Sequence, residues 1–452
     1  MPLHSSAMAA PRHDEGRMTL LVPALIAAVF VGFVLLGPYF SYRDAPTEGE
    51  GNALRQVVYL ALLAGSFLAA RNRPADKAPL AVPLSLKYLL LWCWLSLIWS
   101  IEPSIAVRRL VLTCVVIWTV FLIVDRLRFD RTVAVLQWVT SAFLLANFAA
   151  VLLAPDVGIH QMADPFDPGL VGDWRGVLVQ KNFAGAVCAI AVLLFVLGGQ
   201  GVNPLWRWLM VVGNLVFLWG TSSKTSMAIL GVSLVAGWIF LRHDPRYRGF
   251  AILALAAIAT TIAVLVQIYW AEITAPFDNQ DALTGRVQIW PALFAYAQDH
   301  WLFGAGYGSF WNVGDDSPIF RYGKGWVTEL GNAHSGYMDV LVQLGVIGLA
   351  LTVAALLVIP LLSVIASPRV GGRRGALLVA LLVFCAGHNG TETSLLERDA
   401  IVQVFLIFAI ALIEAADTRA PEELEAEDYA RLEPMLLPRR RQPRAIAHSP
   451  RS

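Results

Sequence analysis

Apolar residues form long and nearly uninterrupted runs along most of the chain. The runs lie at residues 18–40, 53–70, 80–99, 107–124, 132–154, 183–199, 204–221, 225–241, 249–270, 335–366, 375–387 and 399–416. Most are close to the roughly twenty residues that an α-helix needs to cross a bilayer. The short run at 375–387 either forms half a helix or continues past His388. The pattern predicts an all-α, polytopic membrane protein with about twelve transmembrane helices.

One polar interval, residues 271–334, is far longer than the other loops that this pattern predicts. Long loops in compact proteins are usually functional or disordered. This one is rich in Trp, Phe, Tyr and Gly rather than in Lys, Glu and Ser, which favours a folded structure. It therefore predicts a functional site that leads directly into the apolar run at 335–366.

The composition agrees with a membrane protein, because 57% of the residues are hydrophobic and only 15% are charged, against about 25% in soluble domains. The four cysteines lie inside or at the edges of apolar runs without metal-ligand spacing, so we interpret them as small apolar residues. No Rossmann or P-loop pattern is present. The sequence thus predicts no metal, no cofactor and no nucleic-acid partner.

Basic residues alternate between the two sides of the predicted helices. If the N-terminus is cytoplasmic, the loops on that side carry Arg71, Arg73, Lys77, Arg126, Arg128, Arg131, Arg242, Arg246, Arg248, Arg369, Arg373 and Arg374. Lys and Arg are concentrated in cytoplasmic loops. The alternation therefore predicts that both tails (1–17 and 417–452) are cytoplasmic and that the interval 271–334 faces the periplasm or the cell exterior. The C-terminal tail is expected to be disordered.

A second group of basic residues falls on the predicted outer side, where the orientation rule does not explain them. The group consists of Arg175, Lys181, Lys224, Arg286, Arg321, Lys324 and Arg398. Lipid phosphates or loop aspartates could account for several of them. Lys181, Lys224 and Arg286 lie beside predicted spans, at the depth of a lipid headgroup, so they are candidates for binding a lipid-linked diphosphate.

Two histidines stand at the predicted outer ends of spans. His334 is a helix cap, another hydrogen-bonded structural residue or a group that accepts a proton. His388 lies at the end of a later span with Glu392 close behind it, and both are candidate contacts for the acceptor or a sugar. Among the aromatic residues of the long interval and the span after it, Trp301, Tyr307, Trp311 and Tyr337 either contact a sugar or contribute to an aromatic belt at the membrane interface.

Four motifs occur in order in this region: Leu283-Thr284-Gly285-Arg286-Val287-Gln288-Ile289-Trp290, Phe303-Gly304-Ala305-Gly306-Tyr307-Gly308-Ser309-Phe310-Trp311, Ala333-His334-Ser335-Gly336-Tyr337 and Leu344-Gly345-Val346-Ile347-Gly348. Together they resemble the signature of the bacterial O-antigen ligase and exopolysaccharide polymerase superfamily. Weaker matches at 180–182 and 223–225 support the resemblance, and residues 389–396 resemble the exopolysaccharide-polymerase branch in particular. The resemblance covers residues 176–398.

The resemblance implies a helical inner-membrane protein in which 18–175 are N-terminal transmembrane helices and 176–416 form the catalytic region. Members of the superfamily act on glycans carried by undecaprenyl diphosphate, by an inverting transfer without nucleotide or metal. Arg286 matches the family's loop arginine, His334 its acceptor-activating histidine and Lys224 a second basic residue that is often Arg. The family often has Asn where this chain has Ser335, which leaves the partner of the imidazole open.

The leading hypothesis is a polymerase that joins lipid-linked repeat units into an exopolysaccharide, in the bilayer and in contact with other polysaccharide-export proteins. The alternatives are an O-antigen ligase that transfers glycan to lipid A-core, a flippase or exporter of lipid-linked sugar, and a non-catalytic member of an export assembly. An exporter should have cations on both leaflets along a cavity, whereas the unexplained ones here are predicted on the outer side only.

Overall fold

The computed structural model describes residues 13–43, 52–71, 79–162, 168–199, 201–242, 244–247, 249–250, 253 and 286–417. Its main helices are α1 (His13–Arg43), α2 (Ala53–Arg71), α3 (Leu84–Leu95), α4 (Pro103–Leu153), α5 (Lys181–Gly198), α6 (Pro204–Gly220), α7 (Lys224–Arg242), α8 (Arg286–Asp299), α9 (Gly336–Val353), α10 (Ile359–Ala366), α11 (Gly372–His388) and α12 (Ile401–Asp417). Short helical turns occupy Ser96–Trp99, Pro155–Gly158, Pro168–Leu170, Pro245–Tyr247, Ile319–Tyr322 and Gly325–Glu329, and a π-helical turn, Ala354–Val358, joins α9 to α10.

The predicted class, an all-α polytopic membrane protein, is confirmed. Within the described ranges, six helical segments are long and apolar enough to cross a membrane, and no strand is present. The number twelve stays a prediction. Most of the predicted span 249–270, the first part of the long interval (271–285) and nearly all of both tails lie outside the described residues.

Helix α4 is two crossings rather than one. Its 51 residues would extend about 76 Å if straight, against a hydrocarbon core of about 30 Å. The helix breaks at Arg128, where φ is 59° and ψ is −174°. Arg109 before the break and Asn147 after it both bond loops at the same end of the bundle, whereas Gln137 reaches the opposite end at Gly198. The two legs correspond to the predicted spans 107–124 and 132–154.

The predicted span 335–366 is one of these six segments, Gly336–Ala366, but its helical backbone is interrupted near the start. Gly345 has φ 67° and ψ −173°, which interrupts the helical backbone. A Cβ atom added to Gly345 would lie only 2.1 Å from the carbonyl oxygen of Leu302, which is too close for any side chain. Glycine alone accommodates both the left-handed backbone and this approach. A short segment, 336–344, therefore precedes the break, and the long apolar helix begins after it.

The shortest predicted run belongs to a helix at the centre of the core. Helix α11 continues to His388 and packs against α5, α7 and α12. Nearly all of α12 is buried as well. Buried helices need no polar face, which agrees with the predominantly apolar sequences of α11 and α12. We call the end of the bundle at which α5, α7 and α9 begin and α11 ends the loop end.

Candidate functional site at the loop end

The turn 389–393, directly after α11, is the centre of the loop end. The buried side-chain oxygen of Asn389 accepts hydrogen bonds from the backbone nitrogens of Ser394 and Leu395, at 3.0 and 2.7 Å. Its carbonyl and that of Glu392 both accept from the nitrogen of Gly336, at 3.0 and 3.1 Å. The turn thereby holds the start of α9.

The same turn also holds the starts of α5 and α7. Asn182 Nδ2 donates to Glu392 Oε1 at 2.8 Å, and the hydroxyls of Thr225 and Thr391 are 2.9 Å apart. Helix N-termini carry partial positive charge. Three of them, those of α5, α7 and α9, are thus attached to one turn.

His334 immediately precedes this junction and has an unusual backbone. Its φ is 48°, a left-handed conformation that few non-glycine residues adopt, although histidine does so more often than most. Its backbone nitrogen donates to Asn332 Oδ1 at 3.0 Å, and Ser335, not His334, is the N-cap residue of α9. The helix-cap interpretation of His334 is therefore wrong, because the helix begins after it. Strained residues that persist in a fold are concentrated at functional sites.

Asp339 joins three segments beside His334. Its buried carboxylate accepts hydrogen bonds from Trp311 Nε1 at 2.6 Å, from the nitrogen of Ala333 at 3.0 Å and from the hydroxyl of Thr393. The long loop, the residue before His334 and the turn 389–393 are thereby fixed to the first turn of α9.

Arg286 is the first residue of α8, and its side chain lies outside the described part of the chain. One turn further along, Trp290 Nε1 donates to the carbonyl of Ala333 at 3.1 Å. Residues four apart lie on the same side of a helix. The start of α8 is thus attached to the residue that precedes His334.

The four aromatic candidates fall into two groups. Tyr307 and Trp311 are buried, with 4% and 5% of their surface exposed. Tyr307 bonds Thr113 Oγ1 at 2.6 Å and the carbonyl of Leu396 at 3.0 Å, and burial raises the pKa of its phenol. Neither ring is open to a sugar, so we correct their assignment: they support the loop from inside.

The other aromatic candidates, Trp301 and Tyr337, lie nearer the surface. Trp301 is 59% exposed and keeps its role as a candidate sugar contact. Tyr337 is half-buried, and its hydroxyl donates to the carbonyl of Ala386 at 2.8 Å, which ties α9 to α11. Its hydroxyl is therefore already used within the protein.

The candidate cations differ in their surroundings. Lys224, the first residue of α7, is exposed. Lys181 forms a salt bridge with Asp173 at 2.6 Å, both side chains being less than one fifth exposed, so its charge is already balanced. Arg398 is likewise paired with Glu397. Of the two lysines, Lys224 is the better placed for an anionic ligand.

His388 and Glu392 contact the starts of neighbouring helices within the protein. His388 is buried, and its Nε2 lies 3.4 Å from the hydroxyl of Ser226 in the first turn of α7. Glu392 is 8% exposed and holds Asn182. Both connect helix ends, and the structure gives neither an open face toward a sugar.

Two basic groups at the loop end were missed by the sequence prediction. Arg109, on the first leg of α4, donates to the carbonyls of Gly308, Trp311 and Asn312 at 2.5–3.2 Å. Arg55 and Tyr59 of α2 bond the buried carboxylate of Asp399, at 2.8 and 2.6 Å. The sequence feature that could have identified both arginines is their position in the first turn of a predicted span, on the predicted outer side.

Fold and site together define a class: a helical membrane protein whose polar, basic site is assembled from helix starts at one end of the bundle. Comparison with known families identifies the class more closely. Residues 207–353 match the model of the O-antigen ligase family, which supports the resemblance to the O-antigen ligase superfamily seen in the sequence motifs. The matched region contains Lys224, Arg286 and His334. No curated protein matches the chain.

The match supports a membrane function of the O-antigen ligase or polymerase type. The exopolysaccharide-polymerase branch is not resolved by it, since residues 389–396 lie beyond the matched region.

Proposed function

We propose that the protein is an inverting, metal-independent polysaccharide polymerase. It acts at the periplasmic face of the inner membrane and transfers a growing glycan from undecaprenyl diphosphate to the next lipid-linked repeat unit. The observation that carries the proposal is the bonding of one turn, 389–393, to the starts of α5, α7 and α9. That turn belongs to the stretch whose sequence resembles the polymerase branch.

The proposed reaction forms a bond between the acceptor oxygen and the anomeric carbon while the bond to the diphosphate oxygen breaks. The leaving diphosphate gains negative charge, which positive groups in a poorly hydrated site stabilise. Lys224 and Arg286 have this role in the proposal. Its support is the exposed position of Lys224 at a helix start and the attachment of α8 beside His334.

In the same proposal, His334 takes the proton of the acceptor hydroxyl as the new bond forms. An imidazole is well suited to general base catalysis near neutral pH. His334 has a left-handed backbone, its nitrogen donates to Asn332, and Asp339 holds the preceding residue, Ala333; this fixed position supports the role. The configuration inverts if acceptor and diphosphate lie on opposite sides of the anomeric carbon. Trp301 offers an exposed aromatic face to the sugar.

The test is the product that the purified protein makes in nanodiscs from an undecaprenyl-diphosphate-linked oligosaccharide. A polymerase yields a ladder of lengthened lipid-linked glycans with no other acceptor present. A ligase yields product only after lipid A-core is added. Absence of a ladder together with glycan on lipid A-core would replace the polymerase proposal by the ligase alternative.

A further inference from the structure

A cavity of about 590 Å³ lies at the end of the bundle opposite the loop end. It is formed by the second leg of α4, the last turn of α5, the first turns of α6 and the start of α11. Gly198, which lines the cavity, is 17 residues after Lys181 in α5, a distance of about 26 Å along the helix. The cavity is therefore separate from the candidate glycan site.

The wall of the cavity is mainly apolar and aromatic. Trp138 and Trp206 line it with their ring centroids 6.3 Å apart, and Phe129 and Phe195 extend the same surface. Trp138 is 69% exposed. Tryptophan is enriched at the membrane–water interface, and an apolar wall of this kind accommodates a hydrocarbon chain.

The polar side chains in the wall are already used within the protein. Gln137 Nε2 donates to the carbonyls of Leu194 and Gly198, at 2.9 and 3.2 Å. Asn203 Oδ1 accepts from the first backbone nitrogens of α6. A sugar needs several polar partners, so this wall does not suit a glycan.

The rim carries two neighbouring arginines at the start of α11. Arg374 bonds Asp130 at 3.1 and 2.5 Å and lies over the ring of Phe129. Arg373 is exposed at the rim. With one carboxylate against two guanidinium groups, the rim has a net positive charge, and a guanidinium binds phosphate in a bidentate manner.

We propose that this cavity binds one anionic phospholipid, with its phosphate at Arg373 and an acyl chain along Trp138 and Trp206. The arginine alternation predicts that this end faces the cytoplasm. Anionic lipid headgroups bind basic pockets between transmembrane helices on that side. The proposal is independent of the glycan reaction.

The test compares binding of phosphatidylglycerol and phosphatidylcholine with equal acyl chains to the purified full-length protein in detergent, by native mass spectrometry. The wild type should bind one phosphatidylglycerol more tightly than phosphatidylcholine. Arg373→Gln should weaken phosphatidylglycerol binding about fivefold, the effect of one basic residue at an anionic membrane surface, and leave phosphatidylcholine unchanged.

Arg242→Gln is the matched control. Arg242 is an exposed arginine on the same predicted side, lies 5.2 Å from the ring centroid of Trp238 and does not line the cavity. It should keep the wild-type preference. Equal losses in Arg373→Gln and Arg242→Gln would show a general charge effect and overturn the proposal.

Two variants on different walls, Ala134→Trp and Val202→Trp, fill the cavity without changing charge. Either one, if it melts like the wild type in detergent alone, should lose the tightly bound lipid. Three results would overturn the proposal: equal wild-type affinity for the two lipids, wild-type lipid binding by a stable filled variant, or displacement of the lipid by glycerol 3-phosphate. The last would indicate a soluble phosphate ligand.

Discussion

Asp339 accepts a hydrogen bond from the indole nitrogen of Trp311 at 2.6 Å, which connects the long loop to the first turn of α9. The same carboxylate holds Ala333 and Thr393. One buried acid thereby fixes both the residue before His334 and the turn that joins α5, α7 and α9.

Asp339→Asn should destabilise the protein and reduce glycan transfer, because an amide has one acceptor oxygen where three donors converge. A buried donor left without a partner costs about 1–3 kcal/mol. Thermal unfolding in detergent measures the loss. Asp316→Asn is the matched control, since Asp316 is exposed in the same loop, and it should unfold like the wild type. Equal stability of both variants would contradict the bonding described for Asp339.

Gly345→Ala should also lower the unfolding temperature. Alanine adds a Cβ 2.1 Å from the carbonyl of Leu302 at a residue whose φ is 67°, and a strained residue of this kind costs about 1–3 kcal/mol. Gly371→Ala provides the comparison, because no atom lies within 4 Å of its added Cβ. If the two variants melt at the same temperature, α9 does not need the break at Gly345.

Arg55→Gln should leave the carboxylate of Asp399 buried without its charged partner. Removing one member of a buried ion pair costs about 3–5 kcal/mol, and the Asp399 side chain is only 2% exposed. The unfolding temperature should fall clearly. Arg71→Gln removes the same charge from the exposed end of α2 and should have little effect. A wild-type melting temperature for Arg55→Gln would show that the pair contributes nothing to stability.

Much of the fold was predictable from the sequence because apolar runs report membrane crossing directly. The break at Gly345 was not, since it depends on a backbone contact with Leu302 on the other side of the loop. Arg55 and Asp399 are 344 residues apart, and no periodic pattern connects them.

The candidate site was predicted in part. His334 and Lys224 follow from the placement of polar residues at span ends and from the resemblance to a known family. Tertiary packing determines that Tyr307 and Trp311 are buried and that Lys181 pairs with Asp173. From residue type alone we predicted that these side chains contact a ligand, whereas in the structure they contact other parts of the protein.

Lys224→Gln should reduce transfer roughly 10²-fold at unchanged protein level, the usual size of the effect when one group that stabilises developing charge is removed. Lys224→Arg should be tolerated, because the charge is kept. Lys324→Gln serves as the control, because Lys324 is an exposed lysine of the long loop.

Arg286→Ala should reduce transfer at least as strongly as Lys224→Gln, and Arg286→Lys should recover part of the lost transfer. Full glycan production by Lys224→Gln and Arg286→Ala would remove both residues from the proposed diphosphate site.

The most direct test of the account is the polymerisation rate of His334→Asn, measured in nanodiscs with lipid-linked donor alongside donor binding and melting temperature. Asparagine accepts the left-handed backbone of residue 334, so the fold should be kept while the imidazole is lost. If His334 takes the acceptor proton, the rate should fall roughly 10²–10⁴-fold with donor binding preserved. A stable His334→Asn protein that polymerises at the wild-type rate would contradict the proposed catalytic role of His334.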